Sequence, residues 1–129
     1  MQDRPTFDEL LEAVSGFLRD DVLPSTSGRL SFHARVSANV LDMLRRELAS
    51  IEEHYGHEWD GLDHLLGVEP MPPSLAGVRE RLQARNEDLS TRIRAGDADG
   101  GPWRDATIAH LRRIVGEKLE VSNPGWTTS

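Results

Sequence analysis

The chain has no cysteine. That absence excludes disulfide frameworks, thiolate metal sites and cysteine nucleophiles together. It also lacks any apolar run near the roughly 18 residues a membrane span requires. Its first residues, Met1-Gln2-Asp3-Arg4-Pro5, hold no basic segment leading into an apolar stretch, so no secretory signal is read there. The expected address is the cytoplasm. Basic surplus is missing too: the formal net charge is −7, the reverse of what nucleic-acid binders usually carry. The basic pairs Arg45-Arg46 and Arg112-Arg113 each sit among acids. No stretch alternates apolar and polar residues over a strand's length. Neither nucleic acid nor membrane is expected as a partner.

What remains is a series of amphipathic segments. Length 129 suits one domain, read as a single helical domain over 1–129 with a loop-rich connector at 57–73. Thr6 and Glu9 form a capping box for a first helix, whose stripe Phe7, Leu10, Leu11, Val14, Phe17 and Leu18 predicts one buried face. Leu23-Pro24 ends it, and Ser25-Thr26-Ser27-Gly28 is the turn. A second helix begins near Leu30, with Phe32, Val36, Val40, Met43, Leu44, Leu48, Ile51 and Tyr55 inward and Gly56 closing it. Beyond it there is room for one extra short helix, Trp59 to Leu66, before the stiff Pro70, Pro72 and Pro73.

A third helix is expected from Ser74 to Ala95, carrying Leu75, Val78, Leu82, Leu89 and Ile93, with Gly96 at a left-handed cap. Pro102 suits the first turn of a fourth, with Trp103, Ile108, Leu111, Ile114, Val115 and Leu119 inward and Asn123-Pro124-Gly125 as its stop. The fold class is therefore all-α, an antiparallel bundle of four main helices.

Chemistry must come from polar residues on the apolar stripes. His33, Glu47, Asn86 and Lys118 fall there and form a candidate internal polar cluster. Burying a charge is costly unless it is paired, so Glu47 and Lys118 invite pairing with each other or with His33. Such a cluster would suit acid–base work or a ligand head group. It would equally suit a satisfied, register-setting group, with the lysine reaching to the surface.

His54 and His57 lie near Glu53, Glu58 and His64, but paired Glu-x-x-His motifs on separate helices and His-Glu-x-x-His are both missing. No dedicated metal site and no cofactor are expected. The glycine-rich phosphate loops and the Gly-x-Ser-x-Gly elbow are missing as well, so no catalytic residue is assigned. Arg35, Asn39, Asp42 and Arg46 make a polar ridge on the second helix, away from its stripe. That ridge is either a solvated face or a docking surface. Trp126, beyond the last helix, must fold back or dock elsewhere.

Several segments in order resemble a known family: Arg4-Pro5-Thr6, Gly28-Arg29 before Phe32-His33-Ala34-Arg35-Val36 and Asn39, Arg92-Ile93-Arg94-Ala95-Gly96, and Lys118-Leu119 leading to Asn123-Pro124. The resemblance runs from Arg4 to about Trp126. It is to small uncharacterised bacterial helical proteins encoded beside aminoglycoside-phosphotransferase-like kinases and acyl-CoA dehydrogenases. The stretch Glu53 to Pro73 departs from the pattern.

The resemblance implies a role in acyl-CoA catabolism, as an accessory subunit of a kinase that phosphorylates a hydroxyacyl-CoA and so turns a poor leaving group into a good one. It places the kinase contact on Phe32, His33, Arg35, Asn39, Asn123 and Trp126, with Arg92 or Arg94 available to a nucleotide or CoA phosphate. The alternative is a small stand-alone enzyme or acyl-CoA-binding protein that uses the internal polar cluster. A homodimer is compatible with either.

Overall fold

The computed structural model describes residues 3–126, and the described residues are all-α, with no strand. Helix α1 spans Phe7–Phe17, α2 Gly28–Leu66, α3 Leu75–Arg94 and α4 Gly101–Ser122. A π-helical turn, Leu18–Val22, extends α1, and a 3₁₀ turn, Pro124–Trp126, follows α4. No helix among the described residues is long and apolar enough to cross a membrane. The chain forms two compact units, residues 1–50 and 51–129, with α2 contributing its first half to one and its second half to the other.

Local chemistry sets the helix starts. Thr6 Oγ1 accepts from the Glu9 amide at 3.2 Å while the Thr6 amide donates to Glu9 Oε2 at 2.7 Å, so the capping box satisfies two orphan donors. Ser74 Oγ accepts from the Gly77 amide at the head of α3. Pro102 occupies the first turn of α4, where its missing N–H costs nothing.

Helix α2 does not stop at Gly56. It runs without a break to Leu66, so residues 57–66 of the expected 57–73 connector are helical, the separate short helix is the last turns of α2, and only 67–73 remain irregular. An interior glycine costs only about 1 kcal/mol relative to alanine. Burying the Trp59, Leu62 and Leu65 side chains on one face offsets that several times over, at roughly 1.5–3 kcal/mol each. Gly67, at φ +107°, provides the left-handed residue that ends the helix.

In the C-terminal unit the core is Trp59, Leu62 and Leu65 of α2 with Val78, Leu82 and Leu89 of α3; Tyr55, Ile93, Trp103 and Ala106 pack around it. The α3 stripe is the expected one, except that Leu75 is exposed. Helix α4 is rotated from the expected stripe: Thr107, His110, Ile114 and Val121 are buried, whereas Leu111 and Val115 face solvent. Two polar anchors favour that rotation, since Trp103 Nε1 donates to the Leu65 carbonyl and His110 fills the space left by Gly61.

The N-terminal unit is a hairpin of α1 and the first half of α2, and here the expected stripes point the other way. Phe7, Leu10, Val14 and Phe17 are exposed, as are Phe32, Val36, Val40, Met43, Leu44 and Leu48. The buried residues are small: Ser15, Ala34 and Ala38. The reason is polar. Ser15 Oγ donates to Asp42 Oδ1 at 2.8 Å, Arg19 pairs with Asp42 and donates to Asn39, and Arg45 holds Asp8 through two hydrogen bonds and Glu12 at 3.5 Å. These contacts turn the polar sides of both helices toward each other. The ridge through Asn39 and Asp42, expected away from the packed side, is the one that meets α1.

Candidate functional site

Two features of the molecule could carry function, and each belongs to one unit. The first is the outer surface of the hairpin. Phe32 is exposed and lies edge-on to the His33 ring, centroids 5.6 Å apart and planes at 69°. His33 Nε2 accepts from Arg29 Nε at 3.3 Å, one turn back along the helix. Arg35 is exposed, and Asn39 accepts from Arg19. A cavity of about 310 Å³ opens between the helices at the far end of the hairpin, lined by Thr6, Phe7, Asp8, Arg45, Leu48 and Ala49. Its charged wall is fixed, because the hydrogen bond from Arg45 holds the Asp8 carboxyl below the ordinary carboxylate range. Asp42 is also held low: burial pushes it up, and the Ser15 and Arg19 hydrogen bonds more than reverse that push.

The second feature is a polar layer in the C-terminal unit, on the face of α2 that follows Gly56. His57 Nδ1 donates to Glu117 Oε1 at 2.6 Å, and Arg113 Nε reaches the same oxygen at 3.3 Å. Glu117 Oε2 is buried without a hydrogen-bond partner. Buried Glu58 accepts from Asn86 Nδ2 at 2.7 Å, and the same amide nitrogen also donates to the Leu82 carbonyl. His110 is buried nearby, and burial lowers its pKa from 6.5; Glu58 and Glu117 oppose that shift while Lys118 and Arg113 reinforce it. Among the described residues no group of three or more His, Cys, Asp or Glu could hold a metal ion.

The four residues of the expected internal cluster are not assembled within either unit. His33 and Lys118 are exposed, Glu47 is half-buried, and Asn86 has Glu58 as its acid partner. Asn123 is exposed and caps α4 through its backbone, its N–H donating to the Leu119 carbonyl and its carbonyl accepting from the Trp126 amide. Trp126 itself is 71% exposed. Arg92 is engaged: it donates to Asp97 and to the Leu65 carbonyl and lies 4.4 Å from the centroid of Trp103, so a phosphate would have to displace three partners. Arg94 is exposed.

Sequence reasoning misses His110, Glu117 and Arg85, and it names Glu58 only as a neighbour of His54 and His57 in a metal pattern that is incomplete. A signal existed for two of them. Arg85 falls between Leu82 and Leu89 on the α3 stripe, and His110 falls four residues before Ile114. Glu117 reads as an ordinary helix-surface acid, and Glu58 as a polar residue of the connector.

The shift at His110 has a consequence for stability. A histidine whose folded pKa lies below 6.5 binds fewer protons folded than unfolded, so stability is full above pH 6.5 and falls as pH drops below it. The expected result is that His110→Asn shows a flatter stability profile than the wild type from above pH 6.5 down to about pH 5. Urea unfolding at a series of pH values measures it. Identical slopes for the two proteins would rule this out.

No curated protein and no solved structure matches the chain. A match over residues 24–126, from the turn before α2 to the end of the 3₁₀ turn, shows that the chain belongs to the DUF6285 family, a domain of unknown function.

Proposed function

We propose that this chain is a non-catalytic accessory subunit of an aminoglycoside-phosphotransferase-like kinase that acts on a hydroxyacyl-CoA in acyl-CoA catabolism. The kinase would supply the chemistry, converting a hydroxyl into a phosphate leaving group. This chain would hold the kinase in its active form.

The observation that carries the proposal is the exposure of two aromatic anchors, Phe32 at the head of α2 and Trp126 after α4. Exposed aromatics next to arginine match the residue types enriched at protein interfaces. Phe32, His33, Arg35, Asn39, Asn123 and Trp126 all fall inside the segment that defines the family. The identity of the partner comes from the resemblance to proteins encoded beside such kinases.

Co-expression tests it. The chain is expected to co-purify with the tagged kinase, and nucleotide-dependent phosphorylation of a hydroxyacyl-CoA is expected to need it. Phe32→Ala and Trp126→Ala are each expected to weaken retention about 30-fold, the equivalent of about 2 kcal/mol at a hot spot. Full kinase turnover without this chain, and no complex on gel filtration, would end the proposal.

A further inference from the structure

We infer that α1 and its π-helical turn form a releasable arm, which ion pairs hold on α2 and which can leave while the rest of the chain stays folded. Release frees Asn39, Asp42 and Arg45 of α2. This inference goes beyond the kinase proposal and is tested without the kinase.

The seam between the arm and α2 holds little apolar burial. Ser15 is the one buried residue of α1, and Leu11 and Leu18 on either side of it are half-buried. On the α2 side the buried residues are Ala34 and Ala38, the smallest of apolar side chains. The polar contacts are regular instead. Asp8, Glu12, Ser15 and Arg19 follow each other by four, three and four residues, one line along the arm. They meet α2 in reverse order: Asp8 and Glu12 pair with Arg45, Ser15 and Arg19 with Asp42, and Arg19 reaches on to Asn39.

Exposure decides how firmly such a seam holds. The five ion-paired side chains keep 27–65% of their surface in water. Pairs this exposed contribute little each and are screened by salt, whose reach falls from about 10 Å at 0.1 M to about 3 Å at 1 M. Helix α1 has eleven residues, a length that is marginal as a helix alone in water. Its helical state therefore depends on the seam.

Helix α2 does not depend on the seam in return. Trp59, Leu62 and Leu65 fix its second half in the core, and a helix nucleated there extends back toward Gly28 by one hydrogen bond per residue. The turn at residues 23–27 is then the arm's tether. A docked arm occupies the Asn39 amide oxygen through Arg19. Asn39 belongs to the kinase contact proposed above, so arm and kinase compete for it.

Hydrogen exchange of the purified full chain tests the arm. Raising NaCl from about 0.1 M to about 1 M is expected to speed exchange of the α1 amides about tenfold, and that of α3 and α4 amides less than about twofold. Arg45→Gln is expected to show the fast α1 exchange already at low salt and to lose most of the salt response. Salt-independent protection of α1, loss of protection in α1, α3 and α4 together, or an Arg45→Gln chain that exchanges like the wild type would each overturn the inference.

A second measurement separates departure of the arm from fraying in place. The chain has no cysteine, so a thiol at Ser15→Cys reports on the seam alone. Ser15 is buried and Arg112, on α4, is exposed. Maleimide labelling of Ser15→Cys is expected to accelerate about tenfold over the same rise in salt, while that of Arg112→Cys stays constant. Labelling of Ser15→Cys that ignores salt, whether slow or fast, would overturn it.

Discussion

Replacing Arg85 with alanine is expected to cost the C-terminal unit about 3–5 kcal/mol, the range for breaking a buried ion pair from one side. Arg85 is 1% exposed, yet it sits on the α3 stripe between Leu82 and Leu89. Its Nη1 donates to Asp63 Oδ1 and its Nη2 to the Gly67 carbonyl, both at 2.8 Å. The guanidinium lies 4.8 Å from the Trp59 ring centroid.

Around it the segment after α2 is tied down. Trp59 Nε1 donates to the Glu69 carbonyl, the Glu69 amide donates to Asp63, and Arg81 holds the Glu69 carboxylate through two hydrogen bonds that keep it below the usual carboxylate range. A cation at this point also faces the negative end of a 39-residue helix. Removing it leaves the Gly67 carbonyl without its donor and the Asp63 carboxylate with only the Glu69 amide, and it opens a cavity beside Trp59.

Arg85→Lys should recover only part of the loss, because one ammonium cannot reproduce a planar fork that bonds two acceptors and stacks on a ring. Urea unfolding followed by tryptophan fluorescence reads this directly, since Trp59 and Trp103 both pack at this core. An Arg85→Ala chain within 1 kcal/mol of wild type would contradict the assignment of the guanidinium as the keystone of the helix end.

Two glycines five positions apart on α2 should respond in opposite directions to alanine. A methyl group on Gly61 would lie 2.1 Å from His110 Nδ1 and 2.6 Å from Cε1. The imidazole is buried, so relief means moving the ring or parting α2 from α4, at roughly 1–3 kcal/mol. Helix propensity returns up to about 1 kcal/mol, which leaves Gly61→Ala destabilising by about 1–2 kcal/mol. A methyl group on Gly56 would meet nothing within 4 Å, so Gly56→Ala should be stabilising by about 0.5–1 kcal/mol. The same unfolding experiment measures both. Equal effects at the two positions would show that the α2–α4 approach at Gly61 is not close enough to demand glycine.

This contrast shows what the sequence could and could not say. The capping box at Thr6 and Glu9, the Ser74 and Pro102 starts and the Val78–Leu82–Leu89 stripe are local signals, and the structure repeats them. Gly56 reads as a stop because glycine is a poor helix former. Its cost is small beside the burial of Trp59, Leu62 and Leu65, which recur every three residues just after it. Arg85 and His110 were legible as positions and not as buried groups, since their burial depends on Asp63, Gly67 and Gly61, distant in sequence. Periodicity also identified the apolar faces of α1 and α2 correctly as faces. It could not tell what would meet them, and in the hairpin the partner helix meets the opposite side.

If this chain works by completing another protein, turnover of the kinase is the measurement closest to that role. Phosphorylation of a hydroxyacyl-CoA by the purified kinase is followed as this chain is titrated in. The proposal predicts turnover that rises with added chain to saturation at a fixed stoichiometry, and a weakened response with Trp126→Ala. Kinase turnover that is already full before any chain is added, and unchanged after, would contradict it.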